Sequence, residues 1–189
     1  MRLFVALTLP EKLRESLAAL IRELRQIDRS PRWIPPENLH VTLKFIGEVA
    51  PDKLQAIGES LAGVKMSLPI KLEFRGGGFF PNARRPSVAW VGIDAPASLI
   101  LLAGEVNQSL ASLGIPPEEK SFVPHLTIAR FKETRLSAGL LVEFDRRKSD
   151  RFGEFTTAGF QLIESQLKTA GAEYTTLRSF TFVSEGKDS

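Results

Sequence analysis

The spacing of apolar residues changes along the chain, and the changes mark its elements. Residues 2–9 are a short run of branched, aromatic and aliphatic side chains, the pattern of a buried strand. From 11 to 28, Leu13, Leu17, Leu20, Ile21 and Leu24 recur at helical spacing behind Pro10, which predicts an amphipathic helix. Residues 31–38, with Pro, Trp and Asn, predict a loop, 39–46 a second strand and 52–64 a helix. A long strand is expected over 68–80, with Gly76-Gly77-Gly78 as a bulge or bend, and a turn over 81–86. The order then recurs. A strand at 87–93 precedes a helix at 98–113, whose Leu99, Leu102, Ala103, Val106, Leu110 and Leu113 share one face. A Pro-rich, acidic loop at 114–121 leads to a strand at 122–131. A weaker helix follows at 136–147, then strands at 152–165 and 174–183, and a polar tail, 184–189, expected to fray.

The recurrence has a register. The strands opening each half, and the positions His40 and His125, are both 85 residues apart. One offset for strand, helix, loop and strand implies two similarly wired lobes, about 1–80 and about 87–165, related by a pseudo-twofold axis and free to exchange strands. At 189 residues the chain is expected to form a single domain of these two lobes.

The chain has two histidines, and they share a local pattern: His40-Val41-Thr42-Leu43 and His125-Leu126-Thr127-Ile128. Alternation along a strand places His40 and Thr42 on one face and Val41 and Leu43 in the core. The second motif repeats this. A single half-buried histidine beside a threonine is ordinarily just a hydrogen-bonded polar face. Two copies at one offset, using every histidine in the chain, point instead to chemistry. Imidazole titrates near pH 6.5, so a pair supplies a general base and a general acid together at neutral pH. The hydroxyls suit the non-bridging oxygens of a phosphoryl group as charge develops there. In-line displacement needs entering and leaving oxygens on opposite sides of phosphorus, which a twofold arrangement of imidazoles provides. The inference is phosphodiester cleavage by acid–base catalysis.

Composition narrows the setting. Absence of cysteine excludes a disulfide scaffold, a zinc ribbon and a thiol nucleophile. No acidic residue stands at ligand spacing beside either motif, so neither a metal nor a cofactor is expected. No apolar run approaches the ~18 residues of a membrane span, and residues 3–9 are too short for a signal peptide. A cytoplasmic enzyme is the expectation. The net charge of +3 suits an acidic partner without demanding one.

Taken with their flanks, these residues resemble the 2H phosphoesterase superfamily, named for paired His-apolar-Thr/Ser-apolar motifs. Within it, the chain is similar to the RNA 2′,3′-cyclic phosphodiesterases, historically called 2′–5′ RNA ligases. The likeness covers nearly the whole chain: Arg2-Leu3-Phe4-Val5-Ala6, Trp33, Pro36 through Phe45, Gly78-Phe79-Phe80-Pro81, Arg85-Pro86, Phe122 through Arg130, Glu164-Ser165 and Gly171-Ala172-Glu173-Tyr174. The resemblance implies a bilobal α+β fold of two mostly antiparallel sheets flanking a cleft, with helices outside. It implies opening of an RNA-terminal 2′,3′-cyclic phosphate by water to a 2′-phosphate. His40 would be the acid, His125 the base, and Thr42 and Thr127 the phosphate holders. The near-symmetric motifs leave acid and base unassigned on their own. Ligation in a 2′–5′ link, cleavage of other 2′–5′ phosphodiesters, and a non-catalytic RNA-end binding module remain alternatives. A duplicated cleft needs no partner subunit, so a monomer acting on RNA is expected.

Five residues after each histidine the symmetry breaks, with Phe45 in one motif and Arg130 in the other. By resemblance, Phe45 contacts the nucleobase and Arg130 the phosphate. Strict alternation puts both on the wrong face and favours core packing for Phe45, unless the strand bulges. Trp33 is either a stacking platform or a loop anchor. Arg84, Arg85 and the cluster Arg146, Arg147, Lys148 and Arg151 are either RNA contacts or solvated charge.

Overall fold

The computed structural model describes residues 1–66, 69–118, 120–133, 135–169 and 171–182. Position 68 of the expected third strand, position 183 of the expected last strand and the tail 184–189 lie outside them. The first half runs β1 (Arg2–Thr8), α1 (Glu11–Ile27), β2 (Arg32–Trp33), β3 (His40–Glu48), α2 (Leu54–Ala62) and β4 (Ile70–Phe80). The second runs β5 (Val88–Asp94), α3 (Ala97–Ala111), β6 (His125–Arg130), α4 (Ala138–Arg146), β7 (Arg151–Thr157), β8 (Gly159–Lys168) and β9 (Gly171–Thr181). Short 3-10 turns at Pro36–Asn38 and Pro51–Lys53 precede β3 and α2. The strand expected over 152–165 is two strands, parted at Ala158.

That break matters because the two pieces lie in different sheets. One sheet has the order β3-β1-β8-β9 and the other β2-β6-β5-β4-β7, with every pairing antiparallel. The α+β class with two antiparallel sheets is therefore as expected. Each sheet draws from both halves of the sequence: β4 joins the sheet of β5 and β6, while β8 and β9 complete the sheet of β1 and β3. The crossing is tight. At Gly159 any side chain would collide with the Phe180 carbonyl oxygen, and the Thr157 hydroxyl bridges the corner to Gly159.

In both sheets a histidine strand pairs with an opening strand. His40 faces Thr8 and His125 faces Gly92, so the paired positions of the opening strands are 84 residues apart. Both pairings then slip by one residue at the same place. Thr42 faces Ala6 but Lys44 faces Val5, leaving Leu43 unpaired; Thr127 faces Trp90 but Ala129 faces Ala89, leaving Ile128 unpaired. Two successive inward residues result in each strand, Leu43 with Lys44 and Ile128 with Ala129. A bulge at the third residue after each histidine returns the fifth residue to the histidine's face.

The bulge or bend expected at the glycines is a bulge, at Gly76 in the β4–β5 pairing. Gly76 has a φ of +56° and would meet the Lys148 carbonyl with any side chain. One contiguous apolar core joins both sheets to the helices. Leu13, Leu17 and Leu24 of α1, Leu99, Leu102 and Val106 of α3, and Phe74 and Phe160 of the sheets all belong to it. Among the described residues no helix is long and apolar enough to cross a membrane.

Candidate active site

A separate small apolar layer of Phe4, Ala6 and Ile163, with Tyr174 against it, lies on the other face of the first sheet. His40 sits on that layer, its ring 4.7 Å from Phe4 and 5.3 Å, edge-on, from Tyr174. His125 has a matching aromatic neighbour in Phe80, edge-on at 5.0 Å, and Phe80 packs against Trp90. Cross-strand partners in an antiparallel pair share a face, so Trp90 stands beside Thr127.

Each imidazole is fixed in the same way. Nδ1 of His40 lies 2.7 Å from the carbonyl oxygen of Asn38, and Nδ1 of His125 lies 2.7 Å from that of Val123. A carbonyl only accepts, so Nδ1 carries the hydrogen and donates it. Nε2 is then the free position in both rings, a base when neutral and an acid when protonated. The donor and acceptor are two residues apart, which makes the lock a local property of the strand's entry.

His40, Thr42, His125 and Thr127 line one cleft that opens to solvent. The structure therefore brings both halves of the sequence signal together. Burial lowers the pKa of His40 below its ordinary 6.5; the Asn38 carbonyl opposes this and the charge of Arg130 adds to it.

The bulges decide the fifth positions. Arg130 lines the cleft and is exposed, not inward-pointing as alternation required. Phe45 is 53% exposed, so the core placement that alternation favoured is wrong. Its ring stands 6.3 Å from Phe4, at the margin of the site and outside the cleft lining. The inward place goes to Lys44, 3% exposed, whose ammonium donates to the Pro116 carbonyl at 2.6 Å. Glu118 accepts from the Phe45 N–H at 3.3 Å and lies 3.7 Å from the Lys44 ammonium. These contacts bind β3 to the loop that runs from α3 towards His125.

Tyr174, Asn38, Ile34 and Arg32 also line the cleft and carried no signal of their own in the motifs. Tyr174 is the one tyrosine in the chain and sits within the family-like stretch, which was the available clue. Trp33 is an anchor: its indole donates to the Asp28 carbonyl at 3.0 Å and its ring packs on the core. The basic cluster is ion-paired. Arg146 binds Glu143, Arg147 binds Glu143 and Glu23, Lys148 faces Asp145 and Arg151 faces Glu73.

The LigT-like phosphoesterase family model matches this chain twice, over residues 7–90 and 91–174. An RNA 2′,3′-cyclic phosphodiesterase of Archaeoglobus fulgidus is 37% identical over 180 residues, covering 95% of this chain and 99% of that one. One from Methanothermobacter thermautotrophicus is 32% identical, covering 95% and 97%. Among solved structures, TT0787 of Thermus thermophilus superposes with a TM-score of 0.81 at 31% identity, covering 98% of this chain and all of that one. Escherichia coli LigT complexed with 3′-AMP superposes with a TM-score of 0.79 at 25% identity, covering 96% and 98%. With its duplicated sheets, its paired His-Thr strands and two family matches that together span most of its length, the chain belongs to the LigT-like phosphoesterase family.

Proposed function

We propose that the protein is an RNA 2′,3′-cyclic phosphodiesterase that opens the terminal cyclic phosphate to a 2′-phosphate. The observation that carries the reading is the pair of imidazoles in one cleft, each held through Nδ1 by a backbone carbonyl and each beside a threonine hydroxyl. Family membership and curated relatives of that activity over 95% of the chain support it.

The step balances with water alone. Nε2 of His125 takes a proton as the water oxygen bonds to phosphorus, the bond from phosphorus to the 3′ oxygen breaks, and Nε2 of His40 donates a proton to that oxygen. Thr42, Thr127 and Arg130 hold the non-bridging oxygens, and Phe45 stands where a base of the RNA end passes. His40 needs its proton before the step, yet burial favours its neutral form. The phosphodiester's negative charge supplies the compensation, so substrate binding itself charges the acid.

The test is a short RNA ending in a 2′,3′-cyclic phosphate, incubated in excess EDTA and followed by phosphorus NMR. Conversion to the 2′-phosphate is expected. A 3′-phosphate product, or hydrolysis only when divalent metal is restored, contradicts the proposal.

A further inference from the structure

Arg32 and Arg130 face each other directly across the β2–β6 pairing. Residues so placed stand about 4.5–5.5 Å apart at Cα with their side chains on one face, and like charges there repel. Both residues line the cleft, both are exposed, and neither has a carboxylate within 4.0 Å among the described residues. The backbone under the pair is held in place: Trp33 anchors the turn through Asp28, and the Ile34 N–H continues the ladder to Ile128. A pair of unneutralised cations in a cleft is built for anions.

One cyclic phosphate carries one negative charge, which Arg130 and the two threonines address. The second guanidinium has work only if a second anion arrives with the first. On an RNA end, the next charge belongs to the internucleotide phosphate on the 5′ side of the terminal nucleotide. Beyond Arg32 the chain continues with Arg29, Arg25 and Arg22, which share a shallow surface depression and make no ion pair among the described residues. The segment 22–32 thus carries Arg22, Arg25, Arg29 and Arg32 against Glu23 and Asp28, a net charge of +2 that favours an anionic chain.

We propose that Arg32 binds the internucleotide phosphate 5′ of the terminal nucleotide and gives the enzyme its preference for an RNA chain over a mononucleotide. This rests on the cyclic phosphodiesterase reading. The test uses two dinucleotides ending in a 2′,3′-cyclic phosphate, one with a natural linkage and one with an uncharged methylphosphonate linkage, at one low salt concentration. With the natural linkage, Arg32→Gln raises KM about tenfold and leaves kcat within about twofold, as loss of one charge-assisted hydrogen bond predicts. With the uncharged linkage, the wild type shows the same rise, and Arg32→Gln adds nothing further. Arg32→Lys restores most of the discrimination. An equal effect of Arg32→Gln on both dinucleotides overturns the proposal while leaving the phosphodiesterase reading intact. A wild type that opens neither dinucleotide overturns both.

Discussion

The strands that carry His40 and His125 are alike up to their bulges and differ beyond them. Before the bulge, each presents an imidazole with Nδ1 tied to a carbonyl two residues upstream, then a threonine on the same face. After it, β3 turns an aromatic ring outward and buries an ammonium, while β6 turns a guanidinium outward and buries Ala129. Their surroundings follow suit. His40 rests on Phe4 and Tyr174 in the more desolvated position, whereas His125 touches Phe80 beside the arginine strand. Duplication has supplied the symmetric part, two rigid His-Thr pairs, and divergence at the fourth and fifth positions has divided the rest. One strand ends on an exposed aromatic ring and the other on a guanidinium in the cleft.

The symmetric part carries the largest effects. Replacing either histidine by alanine should lower kcat by about 10²–10⁴-fold, the usual contribution of a general acid or base, in single-turnover assays. Thr42→Val and Thr127→Val should each cost up to about 10²-fold in kcat with KM little changed, since in the proposed mechanism the hydroxyls act on charge that develops in the transition state. If one threonine proves silent, the two lobes do not share the phosphoryl oxygens.

The divergent part gives smaller and more informative changes. Lys44→Ala leaves the Pro116 carbonyl and Glu118 without their cation and opens space under β3. A loss of about 2–4 kcal/mol in urea unfolding is expected, with a fall in kcat as the loop leading to His125 loosens. The pH dependence separates the two imidazoles further. His40 is protonated only below its pKa, which burial holds below 6.5 in the free enzyme. The pKa of His40, followed by NMR, should therefore lie below 6.5 in the free enzyme and rise when a phosphate analogue binds, since bound phosphate favours the imidazolium. No change on binding would remove the substrate from the charging of His40. Smallest of all, Phe45→Ala should leave stability within about 0.5 kcal/mol, as its ring is exposed, and raise KM a few-fold for RNA.

Much of this was legible in the sequence, for identifiable reasons. Periodicity located α1 and α3 because their buried leucines keep a strict helical spacing, and the histidine motifs announced themselves by repetition. The bulges left no mark. Leu43-Lys44 and Ile128-Ala129 are ordinary strand residues, and only the partner strand shows that one residue in each is unpaired. For this reason the faces of Phe45 and Arg130 could not be read by counting. The split of 152–165 was hidden likewise: Phe152 and Phe155 before the corner and Phe160 and Leu162 after it keep the run strand-like throughout, and the destination of each piece is a non-local pairing. Tyr174 reaches His40 from the far end of the chain, a contact that no local pattern encodes.

The most direct test of two imidazoles acting on one phosphorus is the pH–rate profile of each single-histidine variant beside the wild type. The wild-type profile should be bell-shaped, its limbs belonging to the coupled pair. His40→Ala should lose the alkaline limb, because the acid is gone, and His125→Ala should lose the acid limb, because the base is gone. A full bell surviving in either variant would contradict the two-histidine account.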